Sequence, residues 1–176
     1  ITYEEALHTY FAVQDIREVG VSGLEQVEYL DKVQQMARKR QPSEPVRFTG
    51  ETDRIYLATR GACTIHDPGK RRRITISKTG SDSTVVWNPW IDKAKAMPDF
   101  GDLEWPEMVC VETCNVNVHA VTLAPALAAM TTLQRTRLRR HRMPAISTVM
   151  ATSMGMPSTA TTTTTMAAST AMARTT

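Results

Sequence analysis

The chain has 176 residues, of which 41% are hydrophobic, 22% charged and 6% aromatic. That size fits one domain, or one domain with a tail, and the composition excludes a collagen, a disulfide-dense mini-protein and a wholly disordered chain. No run approaches about 18 uninterrupted apolar residues, which excludes a polytopic helical membrane protein. The 21 basic and 18 acidic residues give a formal charge of +3, but that charge is unevenly spread. Beyond residue 125 lie six basic residues, Arg135, Arg137, Arg139, Arg140, Arg142 and Arg174, and no acidic ones. Residues 1–125 therefore hold fifteen basic against eighteen acidic residues, and the two parts are read separately. Three cysteines, Cys63, Cys110 and Cys114, are too few for a disulfide framework and point to a reducing compartment, hence the cytoplasm. The opening Ile-Thr-Tyr-Glu-Glu-Ala has no signal-peptide pattern.

From residue 7 to 124, short β-type runs alternate with turn signals. Leu7 to Val13 is rich in aromatic and β-branched residues, and Ile16 to Val21 stops at Ser22-Gly23. Val46 to Thr49 ends at Gly50, and Asp53 to Thr59 sets Ile55 and Leu57 on one face, Arg54 and Tyr56 on the other. Cys63 to His66 leads into an Asp67-Pro68-Gly69 turn, and Arg73 to Lys78 alternates strictly. Thr84 to Trp87 ends at Asn88-Pro89; Met108 to Thr113 and His119 to Leu123 are two further strands. This spacing predicts an all-β sandwich or barrel. Helix is expected over Gly23 to Arg40, where Leu24, Val27, Leu30 and Val33 approach a 3.6 period. A second is expected over Trp90 to Met97, stopped by Pro98. Residue 126 is a boundary. Residues 146–176 hold eleven Thr, six Ala and five Met with no acid and no aromatic. Such a composition cannot build a core, so 126–176 is expected to be a disordered tail.

Several residues carry a chemical reading beside a plain one. His8, mid-strand, is a general acid or a hydrogen-bonded, half-buried histidine. Asp53, at a strand start, accepts from sugar hydroxyls, caps a turn, or pairs with Arg54 at the surface. Glu112 lies in an apolar run, where burial would raise its pKa and make it a base, unless it faces outward on an alternating strand. Cys110, Cys114 and His119 lack a fourth ligand and read as core rather than metal. Lys70 to Arg73 binds phosphate or is a solvated corner. Trp87, Trp90 and Trp105 form a sugar-stacking platform or pack in the core. The basic cluster Arg135 to Arg142 can attract nucleic acid or anionic lipid, but no aromatic accompanies it, and a solvated tail is the simpler reading.

Four segments occur in a specific order: Leu7-His8-Thr9-Tyr10-Phe11, Thr49-Gly50-Glu51-Thr52-Asp53-Arg54-Ile55-Tyr56, Val85-Val86-Trp87-Asn88-Pro89-Trp90, and Met108-Val109-Cys110-Val111-Glu112-Thr113. Lys93-Ala94-Lys95-Ala96-Met97 and Asp99-Phe100-Gly101 lie between the last two. Together they resemble the glucose-6-phosphate 1-epimerase (hexose-6-phosphate mutarotase) branch of the aldose 1-epimerase superfamily, over about residues 1–125. The resemblance implies a galactose mutarotase-like β-supersandwich, of which 1–125 is the C-terminal half. It implies interconversion of the α and β anomers of a hexose 6-phosphate. His8 would protonate the ring oxygen, Glu112 would take the proton of the anomeric hydroxyl, and Asp53 would hold sugar hydroxyls. It implies no metal or organic cofactor, no nucleic-acid or membrane partner, and a monomer. The family's remaining strands, and the arginines that grip the sugar phosphate, are expected before Ile1, so no phosphate site is assigned. An inactive carbohydrate-binding remnant is the alternative reading.

Overall fold

Strands form where β-branched and aromatic residues alternate, and turns form where Gly, Pro, Asn and Asp interrupt them. A computed structural model of the chain describes residues 1–124, 135–140 and 149–152. The strands are β1 (Thr2–Tyr3), β2 (Glu5–Ala12), β3 (Gly20–Ser22), β4 (Glu28–Asp31), β5 (Ala37–Arg40), β6 (Thr52–Leu57), β7 (Cys63–Asp67), β8 (Arg72–Thr79), β9 (Ser83–Asn88), β10 (Met108–Asn115), β11 (Val121–Thr122), β12 (Arg135–Arg140) and β13 (Val149–Thr152). One helix, α1 (Trp90–Ala96), stands among them. A seven-stranded sheet has the order β13-β2-β10-β9-β6-β4-β5, a four-stranded sheet the order β12-β8-β7-β3, and β1 pairs with β11.

The two larger sheets pack as a sandwich. Phe11, Tyr56, Val86, Val109 and Val111 of the larger sheet share one buried cluster with Val21, Ile65, Ile74 and Ile76 of the smaller. A second cluster, Ile55, Leu57, Val85, Trp87, Cys110 and Cys114, covers the opposite face of the larger sheet. β10 is therefore buried along all eight residues. Because side chains alternate along a strand, its odd positions enter the sandwich and its even positions face outward. That alternation is what puts Glu112 on the outer face beside Cys110 and Cys114.

The expected helix over Gly23 to Arg40 is instead a hairpin. β4 and β5 pair antiparallel, joined by a 3-10 turn at Lys32–Gln34 and by Gln35 and Met36 at φ 53° and 63°. The apparent 3.6 period fails because Val33 is 44% exposed; the burial that decides this segment alternates along β4. Of Ile16 to Val21 only the end is strand, and Val46 makes a single bridge to Val21. The expected strand at His119 to Leu123 is reduced to two residues after a 3-10 turn at Asn117–His119. Two stretches of 126–176 are strands: β12 pairs with β8 and β13 with β2. Edge pairing uses only backbone N–H and C=O groups, so a sequence without core-forming side chains can still supply it. The remainder of the expected tail lies outside the described residues.

Asn88 ties the end of β9 to the starts of α1 and β10. It is fully buried. Its amide donates to the carbonyls of Trp105 and Met108, at 2.8 and 2.9 Å, and its carbonyl accepts from the Trp90 amide at 2.9 Å. Asn88→Ala leaves these groups without partners where water does not reach, and is expected to cost about 2–3 kcal/mol. Urea denaturation checks this, and an unchanged midpoint would contradict it.

Candidate active site

His8 stands on the outward-facing row of β2, next to β10 in the sheet. Its ring stacks on Tyr10, with centroids 4.9 Å apart, and meets Trp87 edge-on at 5.5 Å. Trp87 also meets Tyr10 and Phe100 edge-on. This aromatic wall fixes the direction of the imidazole. Nε2 lies 3.3 Å from Glu112 Oε1, and Nδ1 lies 3.6 Å from Cys110 Sγ. Residues separated by 104 positions thus touch through the pairing of two strands.

Asp53 begins the same outward row of β6 that Ile55 and Leu57 continue. Opposite Asp53 in the register is Trp87. Its Oδ2 pairs with Lys32 Nζ at 2.8 Å. Its Oδ1 is buried and has no hydrogen-bond partner among the described residues. Arg54, the surface partner considered from sequence, lies instead over the Tyr29 ring at 4.9 Å. His8, Asp53 and Glu112 all line one cavity of about 510 Å³, together with Lys32, Trp87 and Lys93. Glu4 and Glu5 stand on its margin.

Burial, and then the charge of Asp53, push the Glu112 carboxyl up to about 8, against an opposing pull from Lys32. Burial lowers the pKa of His8 below its ordinary 6.5. At neutral pH the 3.3 Å contact therefore sets a protonated carboxyl beside a neutral imidazole rather than two opposite charges. The pair holds one proton. Burial also drives the Cys110 thiol well above its usual range, so it faces Nδ1 as a neutral group.

One donor atom each from His8, Cys110 and Glu112 lies within 4.8 Å of the others. The two ring nitrogens face different partners, Nε2 the Glu112 carboxyl and Nδ1 the Cys110 thiol. The sequence pattern Cys110, Cys114, His119 does not assemble: His119 Nε2 accepts from the Ala58 amide at 3.1 Å. The tryptophan platform divides as well. Trp87 lines the cavity, whereas Trp90 and Trp105 pack on each other, tilted at 47° with centroids 4.5 Å apart. Sequence reasoning missed Lys32, hidden in the segment read as helix, and Lys93, visible only as one lysine of a short motif.

Residues 1–127 match the family model described as aldose 1-epimerase. The chain belongs to the aldose 1-epimerase family. It is similar to proteins named "putative glucose-6-phosphate 1-epimerase" from Cenchrus ciliaris, 44% identical over 124 residues, and from Escherichia coli, 36% identical over 108 residues. These alignments cover 70% and 61% of this chain but only 37% and 36% of the relatives; the chain spans well under half their length. Among solved structures, a Salmonella typhimurium protein titled "putative mutarotase (YeaD)" is 34% identical with a TM-score of 0.62, covering 65% of this chain and 38% of that one. The structure titled HI1317 is 27% identical with the same TM-score, covering 69% and 43%. The aldose 1-epimerase fold is thus the mutarotase-like β-sandwich seen here. Among the described residues no helix is long and apolar enough to cross a membrane.

The raised Glu112 pKa has a consequence for stability. Folded, the group holds its proton up to about 8; unfolded, it releases it near 4.5. Stability from this group therefore falls as pH rises through that window. His8, lowered from 6.5, acts in the other direction, removing stability as pH falls through and below 6.5. Glu112→Gln is expected to flatten the decline between pH 5 and 8 and to be more stable than the parent at pH 8.5. Urea midpoints across this range test it, and an equal decline in both proteins would contradict it.

Proposed function

We propose that this chain carries the acid–base machinery of an enzyme that interconverts the α and β anomers of a hexose 6-phosphate. The observation that carries the reading is the 3.3 Å contact between His8 and Glu112 on the wall of one cavity; the lowered His8 pKa and the raised Glu112 pKa give the pair one exchangeable proton near neutral pH. Opening a cyclic hemiacetal needs a base at the anomeric hydroxyl and an acid at the ring oxygen. Moving the shared proton from Glu112 to His8 creates a carboxylate and an imidazolium without changing the proton count. The carboxylate takes the proton of the anomeric hydroxyl while Nε2 of His8 gives one to the ring oxygen. After rotation about C1–C2, the ring closes on the other face with the two roles reversed. The Nδ1 contact to Cys110 leaves Nε2 as the exchanging nitrogen. Asp53 supports the reading with a buried Oδ1 that lacks a partner, suited to a sugar hydroxyl.

The phosphate in the substrate is supported by the names of the relatives. We place the enzyme in the cytoplasm as a monomer, a reading supported for the compartment by three buried, unpaired cysteines. The alternative is a sugar-binding remnant without turnover. It is favoured by the cavity's charge: Glu4, Glu5 and Asp53 stand against Lys32, tied to Asp53, and Lys93, a poor grip for a dianion.

NMR anomer exchange decides between the two readings. It is measured on this chain and on the chain joined to the N-terminal half of a family member. Exchange above the buffer rate is expected in the joined protein, with Glu112→Gln and His8→Asn each about 100-fold slower or more. Asp53→Asn is expected to raise KM more than it lowers kcat. Undiminished exchange in Glu112→Gln refutes the mechanism, and buffer-rate exchange in the joined parent establishes the remnant.

The one-proton state also fixes a pH profile. It exists between the lowered His8 value, below 6.5, and the Glu112 value of about 8. A bell with its alkaline limb near 8 is expected, the two limbs belonging to the pair. Exchange that keeps rising above pH 9 would contradict a shared proton.

A further inference from the structure

The four-stranded sheet turns Ile65, Ile74 and Ile76 into the sandwich, so the alternate residues of β7 and β8 face the other way. There a second cavity of about 730 Å³ opens, remote from the His8–Glu112 pair. Across its floor the strand registers set Gly20 of β3 opposite His66 of β7, and His66 opposite Arg73 of β8. The Arg47 guanidinium lies over Gly20, so close that a Cβ on that residue would meet its Cζ at 3.2 Å. Arginines therefore stand on both sides of His66 along a single cross-strand row. His66, Arg47 and Arg73 all line that cavity. Arg71 joins the rim from the turn before β8.

The acids nearby do not cancel this charge. Asp67 is 1% exposed, and its carboxylate is taken up by Arg72 Nε at 3.0 Å and by the amides of Gln14 and Lys70, each at 3.3 Å. Glu18 accepts from Arg47 through its backbone carbonyl, at 3.0 Å. Among the described residues no ion pair joins Arg47, Arg71 or Arg73 to an acid. His66 Nε2 is held by Ser22 Oγ at 2.7 Å, which leaves Nδ1 for another partner.

We propose that Arg47, His66 and Arg73, with Arg71 at the rim, form a binding site for the phosphate group of a phosphate monoester or of free phosphate. Guanidinium forks match phosphate oxygens two at a time, and a dianion answers two unpaired arginines. The surrounding field agrees with this assignment. Burial lowers the His66 pKa, the charges of Arg73 and Arg47 lower it further, and Glu25 opposes them. A dianion seated between the guanidinium groups reverses the arginines' effect, so His66 reports occupancy. The site stands independently of the epimerase reading, because neither its residues nor its readout involve His8, Asp53 or Glu112.

The test is an NMR titration of the full chain at constant ionic strength, following the His66 ring signals, identified by their loss in His66→Gln. Inorganic phosphate is the first probe, a hexose 6-phosphate the second, and chloride the control. Phosphate is expected to give a saturable shift, to raise the His66 pKa by about half a unit or more, and to bind about tenfold more weakly in Arg47→Ala and Arg73→Ala. Lys70→Ala, outside the row, is expected to bind as the parent does. Tighter binding of the hexose 6-phosphate assigns the site to a sugar phosphate, and equal binding assigns it to free phosphate. A non-saturating response, an equal response to chloride, or undiminished binding in both arginine variants overturns the proposal.

Discussion

The pairing of β2 with β10 is the constraint on which the rest of the site depends. Its register sets Cys110 against Tyr10 and Thr113 against Leu7, joining the two ends of the folded region. Side chains alternate with a period of two, so a slip of one residue would bury His8 in the sandwich and turn Leu7 or Thr9 outward. The same slip would carry Glu112 away from the imidazole. The register is held because both faces of β10 are covered. Val109 and Val111 fill the space between the sheets, and Cys110 and Cys114 pack in the outer cluster. The geometry of the His8–Glu112 pair is thereby specified by hydrophobic packing.

The cost of this arrangement falls on Glu112. A carboxyl that is 5% exposed cannot ionise freely, and the nearby Asp53 makes ionisation harder still. The fold therefore opposes the charged form that the proposed chemistry must use. The aromatic wall of Tyr10 and Trp87 packs against the imidazole where it meets the carboxyl. Stability lost through a desolvated acid and the raised pKa that the proposed chemistry uses have the same physical origin.

The sandwich also separates charge. The outer face of the larger sheet gathers Glu4, Glu5 and Asp53 with Lys32 and Lys93, and the Glu112 carboxyl keeps its proton there at neutral pH. The outer face of the smaller sheet gathers Arg47, Arg71 and Arg73. Two apolar layers keep these fields apart, so each cavity has its own electrostatic character although the region as a whole is nearly balanced.

Much of this was legible in the chain itself. Alternation in Arg73 to Lys78 and the apolar run around Glu112 announced β8 and β10, since a pleated strand half-covered on each face imposes its own period. The apolar neighbours of Glu112 also marked it as a desolvated acid, and the order of four short segments marked the family and singled out His8 and Asp53. Other features had no local signal. Lys32 sits in a hairpin that resembled a helix, because Leu24, Val27, Leu30 and Val33 mimic a helical spacing while the burial that decides the matter comes from β6 and the sandwich. Nothing in Gly20, Arg47, His66 and Arg73 suggests one row, and nothing in residues 135–140 suggests a strand beside β8. Period and composition are properties of neighbours along the chain, so the sequence determined which segments could be strands and which acid would be costly to bury. Contacts between residues some hundred positions apart depend on which strands pair and in what register, and that choice is made only when the two sheets close over their shared core.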